Sequence, residues 1–279
     1  MTKPNFIIIG AMKSATSTLH TQLSLQAGIF MSTPKEPNYF SDDEQYQKGD
    51  IWYQNLFTEA SEDDLCGESS THYTKLPDYP DTVERMTLCL DQPKFIYVMR
   101  HPVERLISHY IHQWSQNIFK CDINEAIDKF EELTAYSCYA QQLQPYFERF
   151  GEENVLPVFM ENIKTDPQQQ LEIIADFIGY KLPVEWKEIA AQNVSNERIR
   201  SFYGYKWLIE SKPMSLLRRT FVPQSIRNKI KQKLVIQERP EINSDNLERL
   251  TKIFDTDLLK LKDWLNLEID CKNYYEKIL

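Results

Sequence analysis

The chain has 279 residues, 42% hydrophobic and 26% charged, a balance that excludes disordered, collagen-like and coiled-coil architectures. With 32 Lys and Arg against 41 Asp and Glu its net charge is −9, which argues against nucleic-acid binding, a function that advertises a basic footprint. Only 7 Gly accompany 14 Phe and 15 Tyr, so barrels built on tight glycine turns give way to a helix-rich fold.

The first element is a short apolar run, Asn-Phe-Ile-Ile-Ile at 5–9, stopping at Gly10, the pattern of a strand buried on both faces of a parallel sheet. Helical spacing follows at 18–27 and again at 80–90. KFIYVM at 94–99 is a second such strand and leads into a helix over 102–116. NVLPVFM at 154–160 is a third, between helices over 140–150 and 166–178. Strands alternating with helices of this length imply βαβ crossovers. The expected fold is therefore α/β, a P-loop-like doubly wound parallel sheet flanked by helices, as one domain over 1–279.

Between 198 and 239, 11 Lys and Arg stand against Glu210 and Glu238, so that segment carries +9 and the remainder −18. Within it, Ile226, Ile230 and Leu234 recur four apart among Arg227, Lys229, Lys231 and Lys233, a basic amphipathic helix. Three readings compete for the stretch: a packing helix with a solvated basic face, peripheral contact with anionic lipid, or a mobile lid in which Arg198, Arg200, Arg218 and Arg219 fold over an anionic ligand. The lid suits the loop and packing suits the helix. Toward the C-terminus, residues 244–265 repeat Leu247, Leu250, Ile253, Phe254, Leu258, Leu261 and Leu265 at helical spacing behind a Ser cap, a packing helix. No apolar run approaches the ~20 residues of a membrane span and no signal-peptide core follows Met1, so the expected location is cytoplasmic. The five cysteines (Cys66, Cys89, Cys121, Cys138, Cys271) are odd in number and lack a C-x-x-C, suggesting neither a disulfide frame nor a zinc site. No protein partner is read from the sequence.

Chemistry concentrates after the first strand, in Gly10-Ala11-Met12-Lys13-Ser14-Ala15-Thr16-Ser17-Thr18. A strand–loop–helix corner aims backbone N–H groups and the positive end of a helix at one point, a ready anion site. Lys13 adds a mobile charge, and Ser14, Thr16, Ser17 and Thr18 add hydroxyl donors. The competing reading is an N-cap cluster. The loop is no GxxxxGK[ST] motif, since it has no second glycine, and no apolar strand ends in a magnesium-binding Asp. The 94–99 strand ends instead in Arg100-His101-Pro102, with Ser108 two turns into the following helix. A guanidinium fork and a hydroxyl together can coordinate a phosphate dianion, although each alone reads as a surface group.

These two segments, 10–20 and 100–110, resemble the paired signatures of sulfotransferases that use 3′-phosphoadenosine 5′-phosphosulfate. Lys35-Glu36-Pro37-Asn38-Tyr39-Phe40, Trp52-Tyr53, Gly67-Glu68-Ser69-Ser70-Thr71-His72-Tyr73 and YFERFGEENVLPV at 146–158 are similar to the branch with heparan-sulfate sulfotransferases and bacterial relatives. The resemblance implies that Lys13, Ser14, Ala15, Thr16, Ser17 and Thr18 hold the 5′-phosphosulfate, that Arg100 and Ser108 hold the 3′-phosphate, and that no metal takes part. It further implies that Glu36 is the catalytic base, with Glu68 in support. His72 is the rival base, because a histidine's ordinary pKa suits proton transfer near neutrality, and His109 a third. Arg105, one turn before Ser108, either joins the phosphate site or lies on a solvated face. Three departures from the family pattern stand out: Ala15 replaces a frequent Gly, implying that no positive φ is needed there; His101 replaces Asp or Asn; and Ser69 stands where glycan enzymes often carry Lys. The implied partners are a nucleotide donor and a hydroxyl-bearing acceptor, whether glycan, lipid, polyketide-like chain or small alcohol. A magnesium-dependent kinase-like enzyme and a non-catalytic nucleotide sensor are the alternatives.

Overall fold

A computed structural model of the chain describes residues 3–188 and 239–279. The lid and amphipathic helix expected over 198–239 lie outside the described residues, Arg239 excepted. Five strands, β1 (Phe6–Gly10), β2 (Ile29–Met31), β3 (Leu65–Ser69), β4 (Lys94–Met99) and β5 (Val155–Phe159), pair in parallel in the order β2-β3-β1-β4-β5. The three apolar runs are β1, β4 and β5. Strands β2 and β3 lacked that signal because β2 has 3 residues and β3 reads LCGES. What admits β3 is Gly67: a Cβ there would come within 2.2 Å of the Phe6 ring on β1.

The helices are α1 (Thr16–Ser24), α2 (Asp43–Tyr46), α3 (Gly49–Asn55), α4 (Thr82–Cys89), α5 (Pro102–Ser115), α6 (Ile123–Lys129), α7 (Glu132–Ala135), α8 (Tyr139–Phe150), α9 (Met160–Thr165), α10 (Pro167–Phe177), α11 (Ser244–Leu259), α12 (Lys262–Leu265) and α13 (Tyr274–Ile278). The closing helix expected at 244–265 is thus interrupted before Lys262.

Alternation along the central strands sorts the core into two layers. Ile7, Ile9, Phe95, Tyr97 and Met99 face α4, α8 and α11 through Met86, Leu143, Tyr146 and Leu258. Phe6, Ile8, Ile96 and Val98 face α1 and α10 through Leu19, Leu23, Leu171 and Ile174. Full burial of a Leu or Phe contributes about 1.5–3 kcal/mol, so these layers dominate the stability of the fold. A third cluster joins α5 and α6 to α11 through Leu106, Ile127, Leu250 and Phe254.

The chain leaves β1 toward β2 and leaves β4 toward β5, in opposite directions across the sheet. The crevice between the carboxyl ends of β1 and β4 is therefore the topological switch point, where open α/β sheets bind ligands. Among the described residues no helix is long and apolar enough to cross a membrane.

Candidate active site

Gly10 ends β1 because the space its side chain would fill is taken: a Cβ would meet Thr74 Oγ1 at 2.1 Å. Thr74 uses that closeness to donate to the Ile9 carbonyl at 2.7 Å, pinning the turn after β3 to the end of β1. Lys13 (φ 72°) and Ala15 (φ 64°) then both adopt left-handed backbone as the loop turns into α1. For Ala15 this corrects the sequence expectation. The position does need positive φ, and Ala occupies it at a cost of about 1–2 kcal/mol. The competing N-cap reading of these hydroxyls fails, since the N-cap is Ala15 and no side chain caps α1. Thr16, Ser17 and Thr18 line a cleft together with Met12, Lys13 and Ala15. Ser14 does not: it is fully buried and its hydroxyl has no partner among the described residues.

Arg100 meets this loop directly, its Nη1 donating to the Lys13 carbonyl at 3.3 Å. Two motifs 87 positions apart thereby become one wall. Glu104, a turn along α5, holds the other end of the guanidinium at 3.4 Å and also pairs with Arg239. Those cations override burial and keep its carboxyl below the usual range. Ser108 is buried and lines the same cleft. Arg105 is neither solvated nor part of this wall. It is fully buried, donating to Ser137 Oγ and, at 2.8 Å, to the Leu133 carbonyl, so it braces α5 against α7. His101 caps the end of β4, its Nε2–H donating to the Cys271 carbonyl at 2.8 Å and its ring stacking on Tyr275. It fastens the C-terminal turn to the site. Met160, Ile163 and Trp186 close this end of the cleft.

The opposite wall comes from the loops after β2 and β3. Glu36 N donates to the Ser69 carbonyl at 3.0 Å, which stitches the Lys-Glu loop to the end of β3. Its Oε1 receives Lys35 Nζ at 2.7 Å and Thr71 Oγ1 at 3.4 Å. Burial would raise this carboxyl, yet Lys35, Lys75 and His72 outweigh it and hold it below its ordinary value. His72 lines the same wall, stacked on Tyr79 at 4.8 Å. Burial first, then the ammonium of Lys75, lower its pKa to about 4. Burial thus favours the neutral imidazole of His72. His109 is almost wholly buried, stacked on Tyr136, and held well below the ordinary histidine value by burial and Arg105. Glu68 is set apart: it lies in the core and not on the cleft, where burial raises its carboxyl to about 8 beside the hydroxyls of Tyr53 and Tyr73. No well-formed hydrogen bond reaches either of its oxygens.

Lys75, Asp78, Tyr79 and Tyr136 on this wall, and Trp186 on the other, carry no motif in the sequence. Lys75 is nearly buried, and burial, with Arg105 adding to it, lowers its pKa to about 8. Among the described residues the cleft holds about 1120 Å³.

A family model described as a sulfotransferase domain matches residues 3–264. Mouse heparan sulfate glucosamine 3-O-sulfotransferase 3A1 is 28% identical over 187 residues, covering 64% of this chain and 46% of the relative. The chain thus spans about half the length of such relatives. The membrane-associated sulfotransferase kil1 of Dictyostelium discoideum is 36% identical over 116 residues, covering 40% of this chain and 24% of the relative. Among solved structures, a sulfotransferase from Alicyclobacillus acidocaldarius superposes with a TM-score of 0.67 at 23% identity, covering 96% of this chain and 98% of that one. Mouse sulfotransferase SULT7A1 complexed with PAP gives a TM-score of 0.54 at 15% identity, covering 98% of this chain and 88% of its own.

Proposed function

The chain belongs to the sulfotransferase domain family, and on that premise we propose that it moves a sulfuryl group from 3′-phosphoadenosine 5′-phosphosulfate to a hydroxyl of an acceptor. One observation carries the reading: Arg100 lies against the Lys13 loop in a cleft that also contains Ser108. An ATP site has no use for that second anion pocket, whereas a donor with phosphates at both ends of its ribose fills both.

The residues divide the work. Lys13 and the first turn of α1 hold the 5′-phosphosulfate, Arg100 and Ser108 the 3′-phosphate, and Trp186 offers the adenine a flat face. As the acceptor oxygen bonds to sulfur, the bond from sulfur to the bridging oxygen breaks, and charge grows on the leaving phosphate. The Lys13 ammonium stabilises charge that appears only then, which is where binding energy accelerates a reaction. The acceptor proton goes to Glu36, which enters ionised and whose Oε2 is not engaged by Lys35 or Thr71. The site needs no metal for these steps in this reading.

Calorimetry with adenosine 3′,5′-bisphosphate in EDTA tests the assignment, together with mass spectrometry of acceptors incubated with the donor. Binding without magnesium and an acceptor gaining a sulfuryl group are expected. Magnesium-dependent ATP binding in preference to the bisphosphate would instead make the chain a kinase-like enzyme.

A further inference from the structure

A buried ammonium is costly unless another group shares its charge, so the cations around the cleft can be sorted by where their partners are. Lys35 has Glu36 at 2.7 Å, Arg100 has the Lys13 carbonyl and Glu104, and Arg105 has Ser137 and the Leu133 carbonyl. Lys75 differs. It is only 9% exposed, and among the described residues its Nζ makes no hydrogen bond or ion pair. Two carboxylates lie near enough to favour its charge, but both are engaged elsewhere: Glu36 by Lys35 and Thr71, Asp78 by the Tyr136 hydroxyl. Arg105 adds a like charge.

The backbone holds this cation in place from both sides. Thr74, just before it, is tied to the Ile9 carbonyl at 2.7 Å, and Leu76, just after, exchanges hydrogen bonds of 2.7 and 3.0 Å with the Gln142 side chain. The Lys75 carbonyl itself accepts from the Asp78 and Tyr79 amides at 2.9 and 3.3 Å. Its side chain runs over the Tyr136 ring, Nζ 5.8 Å from the centroid, and lines the cleft beside Glu36, Thr71 and His72 on the acceptor wall. Lys13 comes from the donor wall opposite. His109 feels both ammoniums: its pKa is lowered first by burial, then by Arg105 and Lys75, with Lys13 contributing. The two cations therefore converge on one region, between the donor loop and Glu36. An unpaired cation clamped there is a preorganised anion site. Arg100 and Ser108 take the 3′-phosphate and the Lys13 loop the 5′-phosphate, which leaves the sulfuryl group as the anion nearest Glu36, since its sulfur is the atom the acceptor attacks.

We infer that Lys75 is a further catalytic residue, its ammonium binding the non-bridging sulfuryl oxygens from the acceptor side while Lys13 serves the bridging oxygen from the donor side. This rests on the sulfotransferase reading and adds to it a group that no motif in the sequence marks. The acceptor O–S bond forms, the S–O bond to the bridging phosphate oxygen breaks, the hydroxyl proton passes to Glu36, and adenosine 3′,5′-bisphosphate leaves. Lys75 keeps its own proton throughout, and its charge stays against the three oxygens of the sulfuryl group in flight. The same ammonium helps to keep Glu36 ionised.

Orthovanadate is the probe, because five-coordinate vanadium with three equatorial oxygens stands in for the sulfuryl group midway through transfer and needs no acceptor. Calorimetry on the full chain measures adenosine 3′,5′-bisphosphate first alone and then with orthovanadate. Failure of the bisphosphate to bind removes the sulfotransferase reading itself. Where it binds, vanadate should tighten it by at least about tenfold, as a mimic of the transition state does. Lys75→Met keeps the apolar stem and removes the charge. It should leave the affinity for bisphosphate alone within about twofold and lose most of the tightening, since a charge-assisted contact is worth about ten- to hundredfold. Its Tm should hold or rise, because an unpaired buried charge is gone. Should the methionine variant fail to fold, Lys75→Gln is measured in its place with the same expectation. The inference is overturned if vanadate fails to tighten binding to the wild-type chain, if the tightening survives in the neutral variant, or if that variant loses affinity for bisphosphate alone as strongly, which would make Lys75 a phosphate ligand instead.

Discussion

The donor wall and the acceptor wall meet in one cleft but are built by different means. On the donor wall the decisive groups hang from strand ends: the loop after β1 and Arg100 after β4 touch through a backbone carbonyl. Across the cleft, the groups hang from loops pinned by Thr74 and Ser69 and are arranged by ring stacking. The difference teaches where specificity can change cheaply. Strand ends are fixed by the sheet's register, whereas loop-borne rings and carboxylates can be exchanged without disturbing the core.

If the walls divide the work as described, damage on each should have its own signature. The largest effect belongs to the reacting groups. Glu36→Gln should lower kcat by about 10²–10⁴ with bisphosphate affinity unchanged. Lys13→Ala should lower it by about 10²–10³ and cost less in bisphosphate affinity than in turnover. Single-turnover kinetics beside calorimetry separates the two readouts. Equal losses in binding and turnover would place Lys13 in ground-state binding. His72→Asn should leave most of the turnover intact, and the reverse ranking of His72 and Glu36 would exchange their roles.

Next in size is Arg100→Ala, which should weaken bisphosphate binding by the worth of a charge-assisted bond, about 1.5–3 kcal/mol, with little effect on the acceptor. Calorimetry showing unchanged affinity would break the pairing of the two motifs. Because Glu104 also holds Arg239, Glu104→Gln should give a smaller loss by leaving the guanidinium less well aimed.

A comparable division holds between two carboxylates on the acceptor side, Glu36 on the cleft and Glu68 in the core. Burial raises the Glu68 carboxyl to about 8 in the folded protein, above its ordinary 4.5. The folded state therefore binds the proton more tightly than the unfolded chain, and stability falls as pH rises from about 4.5 to about 8, then levels. Glu68→Gln should remove that slope and raise stability at pH 8 by up to a few kcal/mol. Urea unfolding at pH 5, 6.5 and 8 checks it. Parallel slopes in the two proteins would mean that Glu68 does not carry the pH dependence.

Much of the donor wall was legible in the sequence because its signals are contiguous. An apolar run, a turn rich in hydroxyls and an Arg at the end of another run each announce themselves within ten residues. Strand β3 did not, because its membership depends on Phe6 lying over Gly67, a contact between residues 61 positions apart. Lys75 and Tyr136 were illegible for the same reason: what matters in them is facing, and only the packing of α7 against the turn after β3 decides it. Glu68 and Arg105 show the opposite failure. The resemblance gave Glu68 a supporting role and Arg105 was read as either a phosphate ligand or a solvated residue, but both are fully buried and line no part of the cleft.

The smallest effect tests the donor wall at its most strained point. Ala15 lines the cleft at φ 64° and ψ 18°, and its carbonyl accepts from the Thr18 and Leu19 amides, so the left-handed turn is what starts α1. Glycine adopts this conformation without the Cβ clash that costs an alanine about 1–2 kcal/mol, but it also frees the unfolded chain by about 0.4–1 kcal/mol. The difference leaves about 0–1.6 kcal/mol in favour of Ala15→Gly, a rise in Tm of a few degrees at most. Bisphosphate affinity should stay level, since the backbone path is the same. Ala15→Val, whose branched Cβ fits this region worst, should lower both Tm and affinity. A fall in Tm for the glycine variant would show that the Ala15 methyl makes contacts worth more than the strain it bears, and a valine variant that binds bisphosphate normally would show that the loop reaches the donor by another conformation.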